Sequence, residues 1–184
     1  MINVVAVFGL SGVGKSWLSA RFAESHGLLH LQASHLLKNA TAARSGVQTT
    51  SEQLRTGAVI DNQELLISAF QAERQAATKA ILFDGHCLID GKAGLIDIPA
   101  SVIEAIAPCG IIFVHAEPAT IFDRRVADTS RERPSRSAAE LHDHQERARA
   151  ICTSYAEGLK LPMHTVEAGD ETGFASAVAA IFST

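Results

Sequence analysis

Eight residues near the start of the chain, Gly9-Leu10-Ser11-Gly12-Val13-Gly14-Lys15-Ser16, follow the spacing G-x-x-x-x-G-K-[ST]. Glycine at three of these positions permits backbone torsions and close approaches that a Cβ would prevent. The flanks supply a frame for the turn. Residues 2–8 are a short apolar, β-branched run that reads as a buried strand stopping at Gly9. Trp17, Leu18, Ala20, Arg21 and Phe22 then give helical periodicity, closed by Gly27. A strand, a glycine-rich turn and a helix gather backbone N–H groups at the positive helix end, where phosphate oxygens bind. Gly9, Ser11, Gly12, Val13, Gly14, Lys15, Ser16 and Trp17 are therefore expected to hold the phosphates of a nucleotide. Lys15 would touch the β- and γ-phosphates, and the Ser16 hydroxyl would ligate Mg²⁺.

Beyond this loop the chain keeps a strand–helix rhythm. Leu28 to Leu31 reads as a second strand, Ala80 to Asp84 and Gly110 to Val114 as strongly apolar strands, and residues 162–167 as a last one. Helices are expected from Asp61, with Glu64 in capping-box spacing, to about Thr78, then over 118–127, 137–157 and from Asp170 to Ile181. Residues 33–58 look like short helices and mobile connections. The alternation predicts one α/β domain whose parallel sheet is covered on both faces.

Composition narrows the class. In 184 residues, 47% are hydrophobic and 20% charged, which excludes a disordered or low-complexity chain. No apolar run reaches the ~18–20 residues of a membrane helix. A net charge of −4 ill suits a dedicated nucleic-acid binder. The opening Met-Ile-Asn-Val-Val lacks the basic stretch of a secretory signal. Cys87, Cys109 and Cys152 show no paired spacing, so a reducing, cytoplasmic setting is expected. Cys87 and Cys152 read as small buried apolar residues, and His26 and His30, flanking a glycine turn, as structural. Of eight histidines only His142 and His144 are close in sequence, and that spacing on a helix points the rings apart, so no zinc site is expected.

Two further features carry chemistry. Asp84 ends the apolar strand Ile81-Leu82-Phe83, where a neighbouring parallel strand would set it beside the loop to hold the water shell of Mg²⁺. The alternative is an aspartate that starts the Asp84-Gly85 turn. No other expected strand ends in Asp. Arg124, Arg125, Arg131, Arg133 and Arg136 fall within thirteen residues against only Asp128 and Glu132, and no lysine occurs there. Guanidinium forks on such a segment can screen a phosphoryl group in transfer, or form a solvated helix face with ion pairs. His86 could reach a phosphate or satisfy a loop carbonyl.

Taken together, the loop Gly9–Ser16, Ile81 to Ile89, Glu117 to Arg125, Arg131-x-Arg133, His144-Gln145-Glu146, Arg149 and Tyr155-Ala156 resemble the nucleoside monophosphate kinases, most closely the compact archaeal-type adenylate kinases. The resemblance implies a P-loop three-layer sandwich with a five-stranded parallel sheet. It also implies an acceptor lobe near residues 32–75 and a short lid near 126–137. The implied reaction moves the γ-phosphoryl of MgATP to a bound monophosphate. By position, Arg55 resembles the acceptor-phosphate arginine, with Ser34 nearby, and Gln63 would reach the acceptor base. Arg124 or Arg125 would stack on the ATP adenine; Arg131, Arg133 and Arg149 would surround the transferring group. Lys38 departs from the family's usual arginine, and lysine cannot hold a phosphate bidentately. An alcohol-acceptor kinase on the same scaffold, with Asp84 or His86 as base, and an ATP-hydrolysing regulatory module remain as alternatives. The sequence does not distinguish the acceptor or the oligomeric state.

Overall fold

The protein is described by a computed structural model over residues 2–45, 59–91, 94–129 and 133–183. The central strand is β1 (Val4–Phe8), every residue of which is buried. It is flanked on one side by β3 (Ile81–Asp84) and then β2 (Leu29–Gln32). On the other side lie β6 (Gly110–His115) and β7 (Met163–Glu167). All four pairings of this five-stranded sheet are parallel. Strand order reverses at β1, so the crevice beyond its carboxyl end is the place where such sheets bind ligands. The nearly continuous apolar character of β1, β3 and β6 follows from burial on both faces.

Helices α1 (Lys15–His26) and α7 (Glu171–Phe182) cover one face. On the other lie α3 (Val59–Ala76), α4 (Ala100–Ile106) and α6 (Ala138–Leu159), with α5 (Pro118–Ala127) packed on α6 and α2 (Ala33–Ser45) on α3. Ser137 caps α6 reciprocally with Glu140, whose carboxylate accepts from the Ser137 N–H at 2.8 Å. Buried Gln145 exchanges two hydrogen bonds with the backbone of Ala116, which ties α6 to the end of β6. No helix among the described residues is long and apolar enough to cross a membrane.

Three features differ from the sequence reading. Residues 33–45 form one 13-residue helix rather than short pieces, because α2 packs along α3 and tertiary contact outweighs weak periodicity. Asp61 lies inside α3 instead of capping it. An antiparallel hairpin, β4 (Leu88–Gly91) with β5 (Gly94–Asp97), follows β3. Its four-residue strands are too short to show alternation, and β5 supplies a second strand ending in Asp. That residue, Asp97, pairs with Arg147 on the surface, away from the loop.

Gly110 shows how tightly α7 sits on the sheet, since a Cβ there would lie 2.6 Å from a side-chain carbon of buried Ile181. Gly110→Ala should overpack this contact by about 1–3 kcal/mol. At roughly 2–4 °C per kcal/mol, thermal melting should show the drop while the specific activity of the folded fraction is unchanged.

Candidate active site

The glycine-rich turn sits in the crevice beyond β1. A Cβ on Gly9 would lie 2.4 Å from the carbonyl oxygen of Val114, so only glycine lets the loop pass β6. Gly12 has φ +90°, and a Cβ there would meet Arg125 Cγ at 2.9 Å. Gly14, also left-handed, leads into α1 without a side-chain cap, which leaves the first N–H groups of the helix for a ligand.

Lys15 opens α1 and is buried. Its Nζ lies 3.5 Å from Asp84 Oδ1 and 3.3 Å from His86 Nε2. The register Val7↔Asp84 brings the carboxylate level with the loop. Burial by itself would raise the Asp84 pKa. The neighbouring Lys15 ammonium, His30 and the Ser16 hydroxyl outweigh that penalty and hold the group far below the ordinary carboxylate range. His86 Nδ1 lies 3.0 Å from the Gly9 carbonyl oxygen. A carbonyl only accepts, so Nδ1 carries a proton, and Nε2 faces the Lys15 ammonium. His86 therefore satisfies a loop carbonyl, and it also lines the adjoining pocket.

His30, which the sequence places beside a glycine turn, reaches Asp84. Its Nε2 lies 3.4 Å from Asp84 Oδ2, a contact created by the parallel pairing of β2 with β3. Nothing in the local sequence signals it. A serine hydroxyl beside an ionised carboxylate is a hard oxygen donor set, and the contact between Ser16 and Asp84 fits Mg²⁺, which keeps waters and phosphate oxygens as its other ligands.

The second wall is made of arginine. Helix α5 starts with Pro118 at its first turn and ends with Arg124 and Arg125 in its last. Arg124 donates to the Val13 carbonyl and lies against Gly14. Arg125 turns into the loop. Its Nε donates to the Ser11 carbonyl at 2.8 Å and its Nη1 to Asp90 at 2.9 Å, and the side chain is only 7% exposed. Arg133 Nε donates to Ser11 Oγ at 3.1 Å while Nη2 pairs with Asp128 at 2.7 Å. Among the described residues, Arg125 Nη2 and Arg133 Nη1 are buried with no partner. Leaving two such donors empty is costly unless an anion takes them.

Both side chains line a pocket of about 140 Å³, which Ser34 on α2 and Asn62, Gln63 and Leu66 on α3 also line. That volume is near the ~150 Å³ that accommodates a benzene ring. Other expected residues lie elsewhere. Arg149 is half exposed on α6, pairs with Glu146, and borders a separate surface depression with Met163 and Thr165. Trp17 is exposed beneath the guanidinium of Arg21, and half-buried Lys38 is not among the pocket residues. Arg55 and Arg131 lie outside the described residues. Asp90, which the sequence reading passed over, reaches Arg125 from the hairpin strand β4.

Sheet order, loop and buried lysine–aspartate pair define a P-loop α/β protein of the kinase type. The chain belongs to the AAA_17 family, described as an AAA domain, whose profile matches residues 8–142. It is 29% identical to the adenylate kinase of Thermococcus onnurineus over 178 residues, covering 95% of this chain and 91% of the relative. The adenylate kinase of Thermococcus kodakarensis is 28% identical over the same shares. In fold, the chain is similar to the shikimate kinase from Acinetobacter baumannii in complex with shikimate, at TM-score 0.65 and 13% identity, over 100% of this chain and 94% of that one.

The charge balance around Asp84 makes a prediction. Its pKa is depressed in the folded state, so it contributes stability above its unfolded value that is lost as pH falls toward the folded one. Lys15→Met removes the largest depressing partner. The variant should be less stable at pH 7 and lose less on acidification below about pH 5 than the wild type, in urea melts across pH. Its turnover should fall at least ~100-fold.

Proposed function

We propose that this protein is a nucleoside monophosphate kinase, adenylate-kinase-like, that moves the γ-phosphoryl of MgATP to a monophosphate seated between α2 and α3. One juxtaposition carries the reading: the buried donors of Arg125 and Arg133 that have no partner among the described residues belong to side chains that line, with Ser11, the same pocket as Ser34 and Gln63. A cationic end beside an apolar recess suits a phosphoryl group passing to a ring-bearing acceptor.

In this reading the backbone from Gly9 to Trp17 holds the triphosphate and Lys15 neutralises its outer phosphates. Ser16 and Asp84 would hold Mg²⁺, which when bound adds charge stabilisation at the phosphates. Arg125 and Arg133 take the charge that spreads over the transferring group, and Arg124, beside Gly14, faces the nucleoside end. The acceptor oxygen is already anionic, so no base is required. This agrees with the site: Asp84 is held ionised far below neutrality, and His86 is committed to Gly9 and Lys15. Both are poor bases for an alcohol acceptor. Residues 32–75 form the acceptor lobe of this reading and 126–137 the lid that excludes water. Mg²⁺ dependence and a cytoplasmic setting belong to the same proposal.

A coupled assay of ATP with AMP, CMP, GMP, UMP and dTMP tests it. At least one acceptor should be consumed and yield its diphosphate, with one ADP formed from ATP per transfer (two ADP in all when the acceptor is AMP); ADP and inorganic phosphate with none of the acceptors consumed would reject the reading in favour of hydrolysis. Arg55→Ala should raise KM for the acceptor about tenfold or more while KM for ATP moves less than about twofold. Equal rises in both would remove Arg55 from the acceptor side.

A further inference from the structure

Asp90 has no role in the chemistry described so far, yet it is among the most heavily engaged groups near the loop. It sits on β4 opposite Leu95 with its side chain 7% exposed. Arg125 Nη1 reaches its Oδ2 at 2.9 Å, and Arg136 reaches its Oδ1 through Nε at 3.2 Å and Nη2 at 3.0 Å. His144 Nδ1 lies 3.9 Å from Oδ2. Burial lowers the His144 pKa, the Asp90 carboxylate opposes this, and Arg136 and Arg125 reinforce it, so the ring is neutral at pH 7. Asp90 thus faces two cations, one from the end of α5 and one from the residue before the cap of α6.

The geometry at Arg125 is directional. One arm goes to Asp90 and Nε goes to the Ser11 carbonyl, so two acceptors on different elements fix the guanidinium plane across the loop. One nitrogen, Nη2, remains without a partner among the described residues. A lone acceptor would leave the fork free to rotate, whereas two leave it aimed. Arg136 takes the other oxygen of Asp90, which keeps the carboxylate from turning away.

We propose that Asp90 is a positioning residue for phosphoryl transfer: it clamps Arg125 between β4 and the phosphate loop so that the remaining donor meets the terminal phosphate. The proposal rests on the kinase reading. It acts through Arg125; Asp90 also lines the pocket, and the double variant below separates positioning from direct contact.

Asp90→Asn keeps the shape and one acceptor oxygen but removes the charge. With the acceptor found above, kcat should fall about tenfold to a hundredfold and KM for ATP rise about fivefold, with KM for the acceptor within about twofold. In an Arg125→Met background the same substitution should change kcat by less than about twofold, since the group it positions is gone. A folded Asp90→Asn enzyme with wild-type kcat, or losses that multiply in the double variant, overturns the proposal. If Asp90→Asn does not fold, Arg125→Lys serves: a point charge cannot span Asp90 and the Ser11 carbonyl, so it should lose kcat as Arg125→Met does, and full activity overturns the clamp. If the wild type transfers to no monophosphate, the kinase reading fails by itself. Calorimetry then decides on Asp90: Asp90→Asn should weaken ATP about fivefold or more while leaving ADP unchanged, and an unaltered ATP-to-ADP ratio overturns the assignment.

Discussion

The site is organised around a buried ion pair at the ends of two adjacent parallel strands. Lys15 leaves the loop after β1 and Asp84 ends β3, and both side chains are almost fully removed from water. Either charge alone would be expensive there. Together, with the Ser16 hydroxyl and two histidines around them, they settle into a network in which the carboxylate stays ionised. That network requires the register of β1 with β3, and the register requires the apolar faces of both strands to be covered. The lysine that would meet a triphosphate is thus held in place by the same packing that makes the core.

The arginine side of the crevice follows a different logic. It is built from the last turn of α5 and the stretch leading into α6, where Arg125, Arg133 and Arg136 are tied to backbone, hydroxyl and carboxylate partners, and Arg125 and Arg133 each keep one buried donor without a partner among the described residues. Two donors left over in a buried setting raise the energy of the empty site and lower that of an anion-filled one. Acidic partners at Asp90 and Asp128 keep this concentration of like charge compatible with a folded chain of net charge −4. Charge is therefore stored beside the loop in an oriented form, which is what transfer of a highly charged group demands.

Much of this was legible in one dimension because the constraints are local. The glycine spacing around Lys15, the β-branched runs of β1 and β6, and the helices at 118–127 and 137–157 depend on torsions and periodicities confined to a few neighbouring residues. The arginine cluster was visible as composition, though not the division of labour within it. Arg125 turned into the loop and Arg149 fell on an exposed face of α6, because a helix's rotation about its axis is set by what it packs against. Here Gln145 and Ala116 set it.

The amino-acid order by itself determined that a phosphate-cradling turn joins a buried strand to a helix, since backbone sterics and hydrophobic period need no distant partner. Only the tertiary structure decided that His30 stands beside Asp84 and that Asp90 reaches Arg125. Residues separated by 54 and by 35 positions meet through strand register and the hairpin strand β4. Such long-range pairings come from the collective packing of the sheet, which no short window of sequence encodes.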